Sequence, residues 1–185
     1  AIYLVSGKPG SGKTTLLDTV SKKNKISNGS LFYENSDIYS SSNKSFNNEL
    51  AYVSQVCKPR WFSVEYYMLQ VISKTNHRKD DAKKHMNKIC KQFNCSYLID
   101  RKIRNLTPGQ LRLIMLAAAI AADSKVLVID ELEQHLTKET LRLVMKILQR
   151  KSNYDGVSII ASTLNPELIS SCLLYTSDAA DDANC

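Results

Sequence analysis

The sequence predicts one α/β domain with a mostly parallel sheet and a helical subdomain inserted into it. Three features point there. Short β-rich apolar runs alternate with helical stretches, a glycine-rich loop joins the first such run to the first helix, and a later apolar run ends in two carboxylates. At 185 residues the chain is long enough for one hydrophobic core and short for two. Its 43% hydrophobic and 23% charged residues match an ordinary globular composition and not the core-poor composition of a disordered chain.

Taken in order, strands are expected at residues 2–5, 30–33, 50–54, 126–129 and 157–161. Helices are expected at 13–21, as a pair within 64–93, at 108–122 and at 138–150. Residues 61–106 read as helical and polar with no strand, which makes them the inserted subdomain. The longest apolar run, 113–122, falls short of the roughly 18 residues a membrane-crossing helix needs. A buried strand opens the chain with no lead-in, so a natural start upstream of it is expected. The end, SDAADDANC, is small and acidic, unlike the Lys-, Asn-, Ser- and Ile-rich body, and residues 172–185 are expected to be a non-native tail. Residues 1–171 are then expected to be a fragment of the functional domain.

Charge and cysteine usage narrow the function classes. The net charge of +7 owes much to Lys22, Lys23 and Lys25 after the first helix and to Arg78, Lys79, Lys83, Lys84, Lys88 and Lys91 along a helical stretch. Lysines so arranged form a solvated face, and no aromatic-interleaved basic groove accompanies them, which argues against a nucleic-acid partner. Cys57, Cys90, Cys95, Cys172 and Cys185 contain no CxxC pair and no histidine at zinc spacing, so they read as reduced thiols and not as metal ligands.

Gly7-Lys8-Pro9-Gly10-Ser11-Gly12-Lys13-Thr14 fits GxxxxGK(S/T) between a predicted strand and a predicted helix, the context this phosphate-binding loop requires. The glycines let successive backbone N–H groups face one centre, and the following helix adds its positive end. Lys13 then brings a mobile charge to the β- and γ-phosphates, and the Thr14 hydroxyl can ligate the magnesium that bridges them. With Thr15 at the start of the helix these are the expected ATP-binding residues; Lys8 and Ser11 have no assigned side-chain role. Further on, the buried strand 126–129 ends in Asp130 and Glu131. Beside a phosphate loop, Asp130 is positioned to hold magnesium through water, and Glu131 to orient or deprotonate the attacking water.

In order and spacing these motifs resemble the ATP-binding subunits of ABC transporters and related ABC ATPases, over residues 2–171. Tyr52-Val53-Ser54-Gln55 looks like the Q-loop. Leu106-Thr107-Pro108-Gly109-Gln110, ahead of an apolar helix, looks like the signature usually written LSGGQ, and Gly109 lies 21 positions before Asp130, room for one helix and a turn. The resemblance implies a P-loop NTPase core of the ABC ATPase type and ATP hydrolysis with magnesium. It implies that Gln55 reaches magnesium and the attacking water, and that Thr107, Gly109 and Gln110 close over the ATP of a partner. A second ABC ATPase domain, identical or different, is therefore an implied partner. A transmembrane subunit or domain is another, which would hold the chain at the cytoplasmic, inner face of a membrane. Residues 58–67 are then the contact surface, where Trp61 and Phe62 either anchor a helix of that partner or belong to the core.

Physical chemistry reads the signature segment in its own way. Thr107 is a good N-cap and Pro108 suits the first helical position, so the Thr107 hydroxyl and the Gly109 N–H point at an incoming phosphate with the helix dipole behind them. The sequence also departs from the family. Pro108 replaces a glycine and removes an N–H. Leu132 stands where proline follows the glutamate, and Thr137 where an aspartate ends the D-loop; His135 in that loop reads as an interface or surface residue. In the segment 159–167, which resembles the switch, Leu164 occupies the place of a histidine that contacts the γ-phosphate, and leucine cannot donate that hydrogen bond. The pattern supports ATP binding with slow turnover. Two other readings stay open at this level: a soluble ABC ATPase acting on a macromolecule, and a nucleotide-gated partner subunit that hydrolyses poorly.

Overall fold

Parallel strands bring the sequence motifs to one edge of a sheet. The computed structural model describes residues 1–40, 44–56, 60–73 and 79–172. Its main sheet has four strands, β1 (Ile2–Ser6), β4 (Leu50–Val53), β5 (Val126–Ile129) and β6 (Ser158–Thr163), in the order β1-β6-β5-β4. All three pairings are parallel, with Ser6 opposite Thr163, and with Val53 and Ala161 flanking Ile129. The carboxyl ends of all four strands therefore share one edge, where open α/β sheets bind their ligands.

The central strand β5 is buried along its whole length, and its two sets of alternating side chains serve two cores. Val126 and Val128 meet Leu17 of α1 (Lys13–Val20), Ile38, and Phe46 of α2 (Lys44–Glu49) on one face. Leu127 and Ile129 face the larger core, shared by α3 (Val64–Ile72), α4 (Lys79–Gln92), α5 (Pro108–Ala121) and α6 (Lys138–Tyr154). Leu17 is fully buried and fixes α1 on the sheet with about 1.5–3 kcal/mol of apolar burial. The helices α3 and α4 pack on α5 and share its core, so the inserted subdomain is continuous with the domain it interrupts.

Two expectations need correction. Residues 30–33 were expected among the parallel strands; instead β2 (Phe32–Tyr33) pairs antiparallel with β3 (Ser36–Asp37) in a separate hairpin. Glu34 and Asn35 at its tip have φ of 48° and 62°, the left-handed pair that a tight hairpin requires. Residues 61–106 are not helical throughout: beyond α4 the chain makes two short 3-10 turns, Ser96–Leu98 and Ile103–Asn105, and Lys102 bridges back to Ser63. No helix among the described residues is long and apolar enough to cross a membrane. Cys90, Cys95 and Cys172 are free and buried, and Lys83, Lys84, Lys88 and Lys91 are exposed along α4. Cys57, Lys58, Pro59, Arg78 and the tail from residue 173 lie outside the described residues.

Candidate functional site

At the end of β1 the chain turns through residues 7–12, all exposed, and enters α1. Gly12 is the N-cap of that helix at φ 87°, and no side chain caps its first turn. A side chain is strained at that φ, and the first-turn N–H groups have no side-chain cap. Lys13 is only 8% exposed. Its ammonium donates to the carbonyls of Gly7 at 2.8 Å and Lys8 at 3.0 Å, which folds the charge back over the loop. Thr14 and Thr15 follow on the exposed side of the helix.

The end of β5 is locked from both flanks. The Asp130 N–H donates to the Val53 carbonyl on β4, and the Ser162 hydroxyl on β6 donates to Asp130 Oδ1 at 2.6 Å. The same Ser162 oxygen accepts from the Glu131 N–H at 2.7 Å. Asp130 is 1% exposed, yet its Oδ2 has no hydrogen-bond partner. A buried carboxylate oxygen left bare is costly, and a cation would meet that need; this oxygen and the Thr14 hydroxyl are donors of the kind magnesium takes. Glu131 sits at φ 50°, a conformation that costs a residue of this kind on the order of 1–3 kcal/mol.

Three side chains that sequence reasoning did not select hold this edge together. Ser162 is one. Arg112 on α5 is the second: 2% exposed, it donates from Nη1 to the Ser54 carbonyl at 2.9 Å and from Nη2 to the carbonyls of Asp130 at 2.6 Å and Glu131 at 2.8 Å. Burial pulls its pKa down, and the carboxylates of Asp130, Glu131 and Glu133 oppose that pull. The third is Glu133, whose Oε1 accepts from the Thr163 hydroxyl at 2.8 Å and from the N–H groups of Leu164 at 2.7 Å and Asn165 at 3.1 Å. Residues 163–165 of the switch-like segment thus share one carboxylate oxygen. Leu164 itself is 47% exposed and contributes only its backbone N–H to that clamp. A lone charge in the apolar run after Gln110 was the available signal for Arg112; nothing local marks Glu133, whose partners lie some thirty residues on.

The signature segment starts α5 as expected, but its polar groups serve each other. Thr107 Oγ1 accepts from the Gln110 N–H at 3.3 Å, and Gln110 Oε1 accepts from the Thr107 N–H at 3.1 Å, a reciprocal cap. Gly109 has a reason of its own to lack a side chain: a Cβ there would stand 2.8 Å from the His135 carbonyl oxygen. His135 is exposed with φ 58°. Gln55, just past β4, lines a cavity of about 260 Å³ with Pro108, Arg112, Gln134 and His135. Gln55 and the signature segment are therefore neighbours. Trp61 does not belong to the core: it is 75% exposed with the Arg104 guanidinium 4.0 Å above its ring, whereas Phe62 packs partly buried against the core and edge-on to Tyr66.

A family model described as ABC transporter matches residues 1–134. The chain is 25% identical over 171 residues to the cytochrome c biogenesis ATP-binding export protein CcmA of Rickettsia typhi, spanning 88% of this chain and 78% of that protein. It is 24% identical over 173 residues to the lipoprotein-releasing system ATP-binding protein LolD of Francisella tularensis subsp. holarctica, spanning 90% of this chain and 74% of that protein. Among solved structures, cbiO1 of Clostridium perfringens, part of the ABC transporter complex cbiONQ, superposes with a TM-score of 0.76 at 22% identity over 92% of this chain and 70% of its own. The dimeric ATP-binding cassette MJ0796 in a post-hydrolysis state does so with a TM-score of 0.77 at 19% identity, over 91% and 76%. These superpositions are a likeness of fold.

Proposed function

This chain belongs to the ABC transporter family, and from that premise we propose how its residues divide the work of binding and hydrolysing ATP. Gly7, Lys8, Pro9, Gly10, Ser11 and Gly12 wrap the phosphates with backbone N–H groups, and Thr15 extends that contact on α1. Lys13 gives up its loop carbonyls to bind the β- and γ-phosphates. Thr14, Asp130 and Gln55 would hold magnesium, which when bound neutralises charge on the phosphates. Glu131 orients the attacking water and takes its proton, and Gln55 holds that water from the other side. The convergence of four parallel strand ends carries this reading, because it gathers the loop, Gln55, Asp130 with Glu131, and the switch segment at one edge.

Turnover is slow in this reading because Leu164 supplies no side-chain donor to the developing charge on the γ-phosphate. Thr107, Gly109 and Gln110 face the nucleotide of a second ABC ATPase domain, so two composite sites form in a dimer. The exposed Val56, Trp61 and Tyr66, on or near the segment that follows Gln55, are the surface offered to a transmembrane partner, which keeps the domain at the inner face of a membrane. The relatives named for export and for lipoprotein release support a transport role. Leu164 also favours a second reading, a nucleotide-gated subunit that binds ATP and leaves hydrolysis to a partner. Within residues 1–171, the stretch from about 61 to 106 is the helical subdomain of this reading.

The test is MgATP titration with phosphate release on the wild-type chain and on Lys13→Ala. Binding and Lys13-dependent release support the hydrolytic reading. Binding without release moves the protein to the gated reading, and no binding overturns both.

A further inference from the structure

Arg112 is the only charged residue of α5, and it lies inside the stretch of that helix that is otherwise apolar and buried. A guanidinium in such a place is weak support for stability, since a well-packed apolar residue often does as well or better. Its geometry is specific, however. One nitrogen donates to Ser54, the residue before Gln55, and the other to Asp130 and Glu131. All three acceptors are main-chain carbonyls, so Arg112 holds backbone and leaves the side chains of Gln55 and Glu131 free. The helix that carries it begins at the signature segment, and Gly109, less than one turn away, rests on the His135 carbonyl. Glu131 is held at φ 50°, away from the conformations an L-residue relaxes to, and the bond from Arg112 to its carbonyl is one of the restraints that keep it there.

We propose that Arg112 is a positioning residue that couples the signature segment of this chain to its own hydrolytic residues. When the start of α5 seats on a partner's nucleotide, the helix moves as a unit, and the guanidinium carries the carbonyls of Ser54, Asp130 and Glu131 with it. Occupancy of one composite site thereby sets the alignment of Gln55 and Glu131 in the other. The proposal rests on the reading that Thr107, Gly109 and Gln110 face a partner's ATP. A planar fork that bonds to both sides at once is required, which an ammonium cannot replace.

The experiment compares the full chain as wild type, Arg112→Met and Arg112→Lys. ATP affinity is read with a fluorescent ATP analogue, turnover as a function of MgATP concentration, and folding by thermal unfolding. The expected wild-type curve is sigmoidal. In Arg112→Met the affinity stays within about twofold, because the hydrogen bonds of Arg112 go to Ser54, Asp130 and Glu131 and not to residues 7–14, while kcat falls about tenfold or more and the curve becomes hyperbolic. If Arg112→Met does not fold, Arg112→Lys decides, with kcat expected to fall at least about threefold at unchanged affinity. Wild-type kcat and sigmoidal shape in a folded Arg112→Met, or in Arg112→Lys, overturn the coupling role and leave the ATPase reading standing. Loss of affinity and thermal stability in step with kcat also overturns it, since a structural role predicts that pattern. A wild-type chain that neither binds nor hydrolyses ATP overturns both readings together.

Discussion

The site at the end of β1, an edge strand, is made of backbone, whereas the site at the end of β6, an inner strand, is made of side chains. At β1, Gly12 turns the chain, the helix start is left uncapped, and Lys13 leans on two carbonyls of its own loop. At β6, Ser162, Thr163, Leu164 and Asn165 are held by carboxylates of Asp130 and Glu133 that arrive from the neighbouring strand. A backbone site keeps its chemistry as long as its glycines and its lysine remain. A side-chain site changes chemistry with each substitution, and in the proposed reading Leu164 is such a change. Under the proposed function, the difference teaches that binding and turnover rest on separate supports.

Four substitutions test that separation, taken from the largest expected effect down. Lys13→Ala removes the buried charge of the backbone site and is expected to weaken MgATP binding about a hundredfold by titration, from the loss of two or three charge-assisted hydrogen bonds. An effect confined to turnover would break the comparison. Glu133→Ala frees three donors of the switch segment, and turnover is expected to fall about tenfold while ATP affinity holds, with about 1–3 kcal/mol lost in urea unfolding. Leu164→His places a donor at the side-chain site. Its kcat is expected to rise several-fold, less than the roughly hundredfold cost of deleting an evolved donor, because its surroundings are not built for it.

The smallest effect lies away from the site and serves as a control for folding. Burial pushes the Asp123 carboxyl up, but hydrogen bonds from His85 and Lys151 outweigh it and hold the group well below the usual carboxylate range. A depressed folded pKa stabilises the fold above the unfolded value of about 3.9 and is lost as pH falls toward the folded value. Asp123→Asn should therefore lower the thermal midpoint at pH 7, and its gap from wild type should narrow below about pH 4. ATP affinity at pH 7 should not change.

What could be read from the sequence follows the same division. The loop at residues 7–14 was legible because its chemistry is local: glycines, one lysine and one hydroxyl at fixed spacing between a strand and a helix. Asp130 and Glu131 were legible as the end of an apolar run, and Thr107 with Pro108 as a helix start. The clamp of Glu133 on the switch was not, because its partners are joined only when β5 and β6 pair. Arg112 was visible as a lone charge, but its three carbonyls come from two strand ends that only the fold brings together. The hairpin at residues 32–37 escaped because Glu34-Asn35 is not a favoured turn pair, and α2, with the sequence KSFNNE, because it is short and polar. Trp61 read equally well as core or surface, and its exposed place against Arg104 is set by the 3-10 turn at Ile103–Asn105.

The most direct measurement is single-turnover hydrolysis of MgATP by the wild-type chain beside Glu131→Gln, with nucleotide binding measured on both. Binding equal in the two, with a slow wild-type rate that drops about a hundredfold in Glu131→Gln, is the result expected of a general base at the end of β5. Equal rates in the two proteins, or binding lost with the carboxylate, would contradict the account.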